Sequence, residues 1–232
     1  MRVDALLFDK DGTLFDFQSS WGAATLQFLK ILSDGDLNTL KKLANALNFD
    51  LNKKLFYPGS IFIAGTTNET IAALEPIIPK KSKDHILSAH LQAYANQKQI
   101  PVKNLYNTLL NLFQSGYQMT IATNDLIEPT NIQLKDANIM DFFSAILGSD
   151  SGYGAKPNPS QLIELQKRMR LKPQEIVMVG DSTHDMRAAK SAGFRSFAVL
   201  TGVASREELK QYSEAIFEDI TYLPTWLNKQ NN

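Results

Sequence analysis

Four aspartates stand where they could do chemistry. Asp9 and Asp11 flank Lys10 just after the apolar run Val3 to Phe8, and Asp181 and Asp185 follow the run Ile176 to Val179. A third run, Met119 to Ala122, leads into Thr123, Asn124 and Asp125. Lys156 lies in Gly154-Ala155-Lys156-Pro157, beyond the weaker run Ala145 to Leu147. Carboxylates brought together raise one another's pKa unless a cation lies among them. The cation suited to such oxygen ligands is a hard divalent ion, above all Mg²⁺. Mg²⁺ beside a lysine, a hydroxyl and the free amides of a glycine turn is a phosphoryl-binding environment. The chain has no cysteine and no G-x-x-x-x-G-K-[ST] segment, which removes thiolate nucleophiles and a P-loop nucleotide site. With no serine elbow either, the simplest nucleophile is a carboxylate, ionised at neutral pH and able to form an aspartyl-phosphate.

The elements that must position these groups are short and regular. The apolar runs, with Phe197 to Leu200 and the weaker Ala215 to Phe217, read as parallel strands covered on both faces. Helical patterns alternate with them. Leu105, Leu109, Leu112 and Phe113 stop at Gly116; Asn158-Pro159 opens a helix over Ser160 to Met169; Ser205 and Glu208 form a capping box. Alternation of this kind means an α/β fold with a doubly wound, Rossmann-like parallel sheet, which binds ligands beyond the carboxyl ends of its strands. On an extended strand Asp9 and Asp11 point the same way, with Lys10 opposite. Asp181 and Asp185, four apart at a helix start, can share one face. Residues 17–99 break the alternation and read as mostly helical. Leu26, Leu29 and Leu32 suit one helix, and Leu37, Leu40, Leu43, Ala44 and Leu47 the next. Thr66 and Glu69 form a capping box ahead of a helix ended by Pro76 and Pro79, and Ile86 to Tyr94 suits a last one. Ile61-Phe62-Ile63 is apolar and β-branched and falls in no assigned element.

Composition bounds the partners. Lys plus Arg and Asp plus Glu are 24 each in 232 residues, so the basic excess of a general nucleic-acid binder is missing. The 44% apolar and 21% charged residues are ordinary for a globular protein. Histidines at 85, 90 and 184 leave little room for a histidine-built metal site. No apolar run reaches the length of a membrane span, and the N-terminus lacks a signal-type apolar segment. The expected location is the cytoplasm, with no nucleic-acid or membrane partner and a monomeric or homodimeric state.

Four segments together resemble a known family. Leu6-Leu7-Phe8-Asp9-Lys10-Asp11-Gly12-Thr13-Leu14 is similar to the first motif of the haloacid dehalogenase-like hydrolases. Ile121-Ala122-Thr123-Asn124 resembles their second, Lys156-Pro157 the third, and Val179-Gly180-Asp181-Ser182 through Asp185 the fourth, in the family's order. Asp185 to Gly193 resembles the helix after the fourth motif in the phosphoglycolate-phosphatase-like branch. The resemblance implies a catalytic core over 1–16 and 100–232 and an α-helical cap domain over 17–99. It implies that Asp9 attacks phosphorus and that Asp11 protonates the leaving oxygen and then activates water. Thr123, Asn124 and Lys156 would hold the phosphoryl group. Asp9, Asp11 through its backbone carbonyl, Asp181 and Asp185 would bind Mg²⁺. An acid at position 11 favours phosphoryl transfer over carbon–halogen cleavage. Lys10 and Phe15 depart from the residues commoner at those places.

The implied activity is Mg²⁺-dependent hydrolysis of a small phosphorylated metabolite, with phosphoglycolate as the nearest guess. A phosphomutase has the same motifs. A phosphonate hydrolase would need a Schiff-base lysine, for which Lys53 or Lys54 is the candidate. A non-catalytic binding protein would have lost Asp9 or Asp11, and both are present. In the insert, Ala64 to Asn68 is the candidate substrate-selecting loop, its helix amides free to attract an anion, and hinges are expected at residues 15–17 and 99–101.

Overall fold

The computed structural model describes residues 2–94 and 97–231. It divides into two compact units, Met1–Asp16 with Pro101–Asn232, and Phe17–Ile100. The chain begins in the first unit with β1 (Ala5–Phe8). The second unit holds α1 (Phe17–Ser33), α2 (Leu37–Ala46), β2 (Phe49–Asp50), β3 (Leu55–Phe56), α3 (Ile61–Ala64), α4 (Thr67–Leu74) and α5 (Lys83–Tyr94). The first unit resumes with α6 (Leu105–Gln114), β4 (Gln118–Ala122), α7 (Ile127–Asp136), β5 (Ala145–Leu147), α8 (Ser160–Met169) and β6 (Ile176–Gly180). It ends with α9 (Thr183–Ala192), β7 (Arg195–Val199), α10 (Arg206–Lys210), β8 (Ala215–Phe217) and α11 (Leu223–Asn231). Among the described residues no helix is long and apolar enough to cross a membrane.

The first unit is a parallel sheet in the order β5-β4-β1-β6-β7-β8. β1 is central, with Phe8 level with Ile121 of β4 and with Val179 of β6. Its side chains alternate between two cores. Leu6 and Phe8 pack with Leu105, Leu109 and Leu112 of α6, Leu134 of α7 and Leu223 and Leu227 of α11. Ala5 and Leu7 pack with Leu162 and Leu165 of α8 and Ala188 and Ala189 of α9. Covering both faces is what lets these strands be apolar without a break. The reversal of winding at β1 opens the crevice where such sheets bind ligands. Phe15 bridges Pro101 in antiparallel pairing, and the Val102 amide donates to the Leu14 carbonyl. The two chain crossings therefore leave this unit side by side.

The second unit is helical apart from one hairpin that the apolar pattern does not announce. β2 and β3 pair antiparallel, Phe49 facing Phe56; two-residue strands are too short to show a period. Ile61 to Ile63 forms the short helix α3, its amide end capped by Ser60 Oγ, so its β-branched content yields to the cap. The expected Ala64 to Asn68 loop is much shorter. Ala64 ends α3, Thr67 and Asn68 already belong to α4, and the Thr66–Glu69 capping box puts a carboxylate at that helix start. The amides expected to attract an anion thus face an acid of their own. Ile100 groups with this unit, because its amide donates to Ser20 Oγ on α1 at 2.9 Å. Lys53 and Lys54 are exposed at the hairpin tip, without the burial that activates an amine nucleophile.

The core of this unit is aromatic. Phe28, Phe62 and Tyr94 surround His90, whose ring centroid lies 4.4 Å from that of Tyr94 and 5.5 Å from that of Phe28, and Trp21 packs edge-on against Phe62 and Tyr94. His90 Nδ1 has no partner among the described residues, and burial lowers its pKa from 6.5 to about 4. The neutral ring is the folded form, whereas the unfolded chain takes up its proton at higher pH. Stability therefore falls as pH drops from 6.5 toward 4, by at most about 3 kcal/mol from this group. His90→Phe should keep the packing and lose less thermal stability than the wild type between pH 7 and pH 5. Equal losses in melts followed by circular dichroism would show that His90 does not control acid sensitivity.

Candidate active site

The groups singled out by their place after strands meet at one edge of the sheet. Asp9 follows β1, Thr123 and Asn124 follow β4, Asp181 and Ser182 follow β6, and Lys156 comes from the loop between β5 and α8. Carboxylate oxygens of Asp9, Asp181 and Asp185 lie within 4.8 Å of one another. Lys156 Nζ sits among them, 2.7 Å from Asp9 Oδ1 and 2.6 Å from Asp185 Oδ1. Burial pushes the Asp9 carboxyl up to about 7, against the pull of Lys156 and with added repulsion from Asp185 and Asp11. Burial raises Asp181 well above the usual carboxylate range too, helped by Asp9 and Asp185. For Lys156 burial works downward, and Asp185 and Asp9 outweigh it to hold the ammonium charged.

Asp185 divides its work. Its Oδ2 accepts from the Ser182 amide at 3.0 Å and from Ser182 Oγ at 2.6 Å, in the capping box of α9. Its Oδ1 faces Lys156. A helix-start role and a site role thus occupy separate oxygens of one side chain. Asp181 Oδ1 accepts from Thr13 Oγ1 at 3.1 Å. The backbone packs tightly around Asp181. A Cβ on Gly202 would fall 1.7 Å from Asp181 Oδ2, and one on Gly12, whose φ is +84°, would fall 2.3 Å from it. Those two glycines are required by contact, and the second also by conformation.

Three side chains have jobs that spacing alone did not indicate. The Asn124 amide is taken up by the Lys156 backbone, donating to its carbonyl and accepting from its N–H, both at 2.8 Å. Its side chain pins the loop that carries Lys156, next to the cis Lys156–Pro157 peptide. Gln161 Nε2 lies 3.3, 3.0 and 2.8 Å from the carbonyls of Thr123, Gly148 and Gly154 and ties β4, β5 and that loop together. Its signal was a polar residue in line with Leu165 on the buried stripe of α8. Lys10 is the clearest departure. β1 ends at Phe8, so strand alternation no longer governs residues 9–11, and Lys10 does not point opposite to Asp11. It is wholly buried, with Nζ 2.7 Å from Asp11 Oδ2 and 3.3 Å from Asp125 Oδ2. The Asp11 side chain accordingly stands apart from the three-carboxylate group; its expected part in metal binding was through the backbone.

The donor chemistry fits a divalent cation. Three carboxylates around one ammonium leave the cluster formally anionic when all are ionised. All the ligand atoms are oxygens, as a hard cation requires. Thr123 Oγ1 accepts from the Asp125 amide at 3.1 Å, which leaves the hydroxyl proton to donate.

Residues 6–199 match the family model of the haloacid dehalogenase-like hydrolases. Two relatives match along nearly their full length. A pyrophosphatase PpaX from Bacillus velezensis is 29% identical over 91% of this chain and 89% of its own. A phosphoglycolate phosphatase from Colwellia psychrerythraea is 28% identical over 90% and 89%. Among solved structures, a protein from Bacteroides fragilis assigned to the haloacid dehalogenase-like hydrolases superposes with a TM-score of 0.75 at 22% identity, over 96% of this chain and 100% of that one.

Proposed function

Because this chain belongs to the haloacid dehalogenase-like hydrolases, we propose that it is a phosphatase that transfers the phosphoryl group of a small phosphomonoester to Asp9 and then to water. The observation that carries the proposal is the Asp9 carboxylate, fixed through Oδ1 by Lys156 beside Asp181 and Asp185. A carboxylate so placed is a nucleophile, and the ammonium beside it is a fixed positive charge for phosphoryl oxygens. Asp9 attacks phosphorus while Asp11 gives its proton to the departing oxygen. Asp11 then takes a proton from the water that splits the aspartyl-phosphate. Thr123 and Lys156 hold the phosphoryl oxygens throughout. Asp9, Asp181 and Asp185, with the Asp11 carbonyl, would hold Mg²⁺. The ion would supply charge neutralisation for an anionic ester entering an anionic site. Residues 17–100 take the cap's place in the chain and are proposed to select the substrate.

Phosphoglycolate is the substrate we infer first, and inorganic pyrophosphate second. Relatives named for each match at similar identity. The test is phosphate release over phosphoglycolate, pyrophosphate, hexose phosphates and phosphonoacetaldehyde, each with Mg²⁺ and with chelator. Release from phosphoglycolate that needs Mg²⁺ is the expected result. Full activity in chelator would overturn the metal. Isomerised sugar phosphate without release would make the protein a mutase, and binding without turnover would make it a non-catalytic member.

A further inference from the structure

We propose that Lys10 is a positioning residue, holding the Asp11 carboxyl in the one orientation that serves proton transfer; this rests on the reading of Asp11 as the proton donor. Lys10 is charged yet wholly buried, which is sustained only where the charge is paired and hydrogen-bonded. Its Nζ donates to Gln133 Oε1 at 2.5 Å, pairs with Asp11 Oδ2 at 2.7 Å, and forms a longer ion pair without a hydrogen bond to Asp125 Oδ2 at 3.3 Å. The lysine backbone is equally committed, its carbonyl accepting from the amides of Thr13, Leu14 and Phe15 at 3.3, 2.9 and 3.2 Å. Neither end of the residue is left to drift.

The partners on the far side are anchored in turn. Asp125 Oδ1 accepts from the Leu126 amide at the start of α7. Gln133 lies on α7 and is buried. A residue that merely neutralised buried charge could reach its acceptors in many ways. Here Lys10 connects the Asp11 carboxyl to a helix start through a continuous set of short contacts. With Oδ2 held by the ammonium, the plane of the Asp11 carboxyl is fixed. The step balances simply. The Asp9–phosphorus bond forms as the phosphorus–oxygen ester bond breaks. The Asp11 proton moves to the leaving oxygen, and the resulting carboxylate remains against Lys10. The same contacts link Asp11 to Thr123, whose Oγ1 accepts from the Asp125 amide. The donor and the phosphoryl-holding hydroxyl are thereby referenced to one frame.

A change in how the leaving oxygen is protonated matters only for leaving groups that need the proton. Phenyl phosphate and para-nitrophenyl phosphate share a ring and differ in that need, because nitrophenolate leaves readily as an anion. Lys10→Met, the paired variant Lys10→Met with Asp125→Asn, and Asp11→Asn are compared with the wild type, with Mg²⁺ present. The paired variant removes one cation and one anion, so that the net charge of the cluster stays as in the wild type should Lys10→Met alone fail to fold. For both Lys10 variants we expect kcat on phenyl phosphate to fall about 30-fold, kcat on the nitrophenyl ester to fall about 3-fold or less, and KM to change little. Asp11→Asn should show the same contrast more strongly. Equal losses on the two esters in the Lys10 variants, with the contrast intact in Asp11→Asn, would make Lys10 structural and overturn the inference. A flat response from Asp11→Asn itself would remove Asp11 as the proton donor and take this inference with it.

Discussion

Asp9→Asn should abolish turnover and leave the fold intact. The amide keeps the shape of the side chain and removes its nucleophilic charge. The loss expected in kcat is about 10⁴-fold or more, the scale seen when the nucleophile of a covalent mechanism is deleted. Folding should not suffer, because burial already disfavours the ionised Asp9 carboxyl and pushes it up to about 7. In chelator at pH 8 the variant should therefore melt no lower than the wild type. Phosphate release near the wild-type rate would exclude Asp9 as the nucleophile. A collapsed melting temperature with activity lost in proportion would make Asp9 a structural residue.

Lys156→Met should be costly twice over. The ammonium is buried between Asp9 and Asp185, whose side chains are 12% and 0% exposed. Removing one partner of a buried ion pair leaves an uncompensated charge, at a cost of about 3–5 kcal/mol. It also removes a fixed positive charge from the proposed phosphoryl site, for which a loss of about 10²–10³-fold in kcat is expected. The two effects separate experimentally. Mg²⁺ in excess should restore much of the stability, since a cation bound by the folded state alone raises its stability by mass action. It should not restore the rate. A variant that melts like the wild type in chelator would show that Lys156 does not hold the carboxylates together. Unchanged inhibition by vanadate would place the phosphoryl group elsewhere.

Much of this site is legible in sequence because each group follows an apolar strand directly. Asp9, Thr123 and Asp181 lie more than a hundred residues apart at the extremes, yet three strand ends in one parallel sheet bring them to the same edge. What escaped was set by side-chain direction beyond those ends. Lys10 lies two residues past β1, where no period fixes its orientation, and it turned toward Asp11 rather than away. Asn124 follows Thr123 past β4, but only the approach of the Lys156 loop decides what its side-chain amide meets. The helix α7 gave little signal because its buried residues include Thr130 and Gln133, and polar residues do not read as an apolar face. In the second unit, strands of two residues and a four-residue helix are shorter than any pattern that could reveal them.

The central strand of the sheet is also the first one made. A ribosome adding about 5–20 residues per second reaches Gly180 on the order of ten seconds after Phe8. Until then Ala5 to Phe8, four consecutive residues that end fully buried, lack the neighbour β6, and they lack β4 until Gln118 to Ala122 have emerged. Residues 17–100 need no such wait, because their unit is one continuous stretch of chain. Synthesis therefore releases a span whose partners are already present behind a strand whose partners are not. The parallel pairing that aligns Asp9 with its distant neighbours is the slow, non-local part of the process. An interrupted chain ending before β4 would carry the complete second unit and an unpaired apolar strand, the kind of exposed segment that chaperones bind.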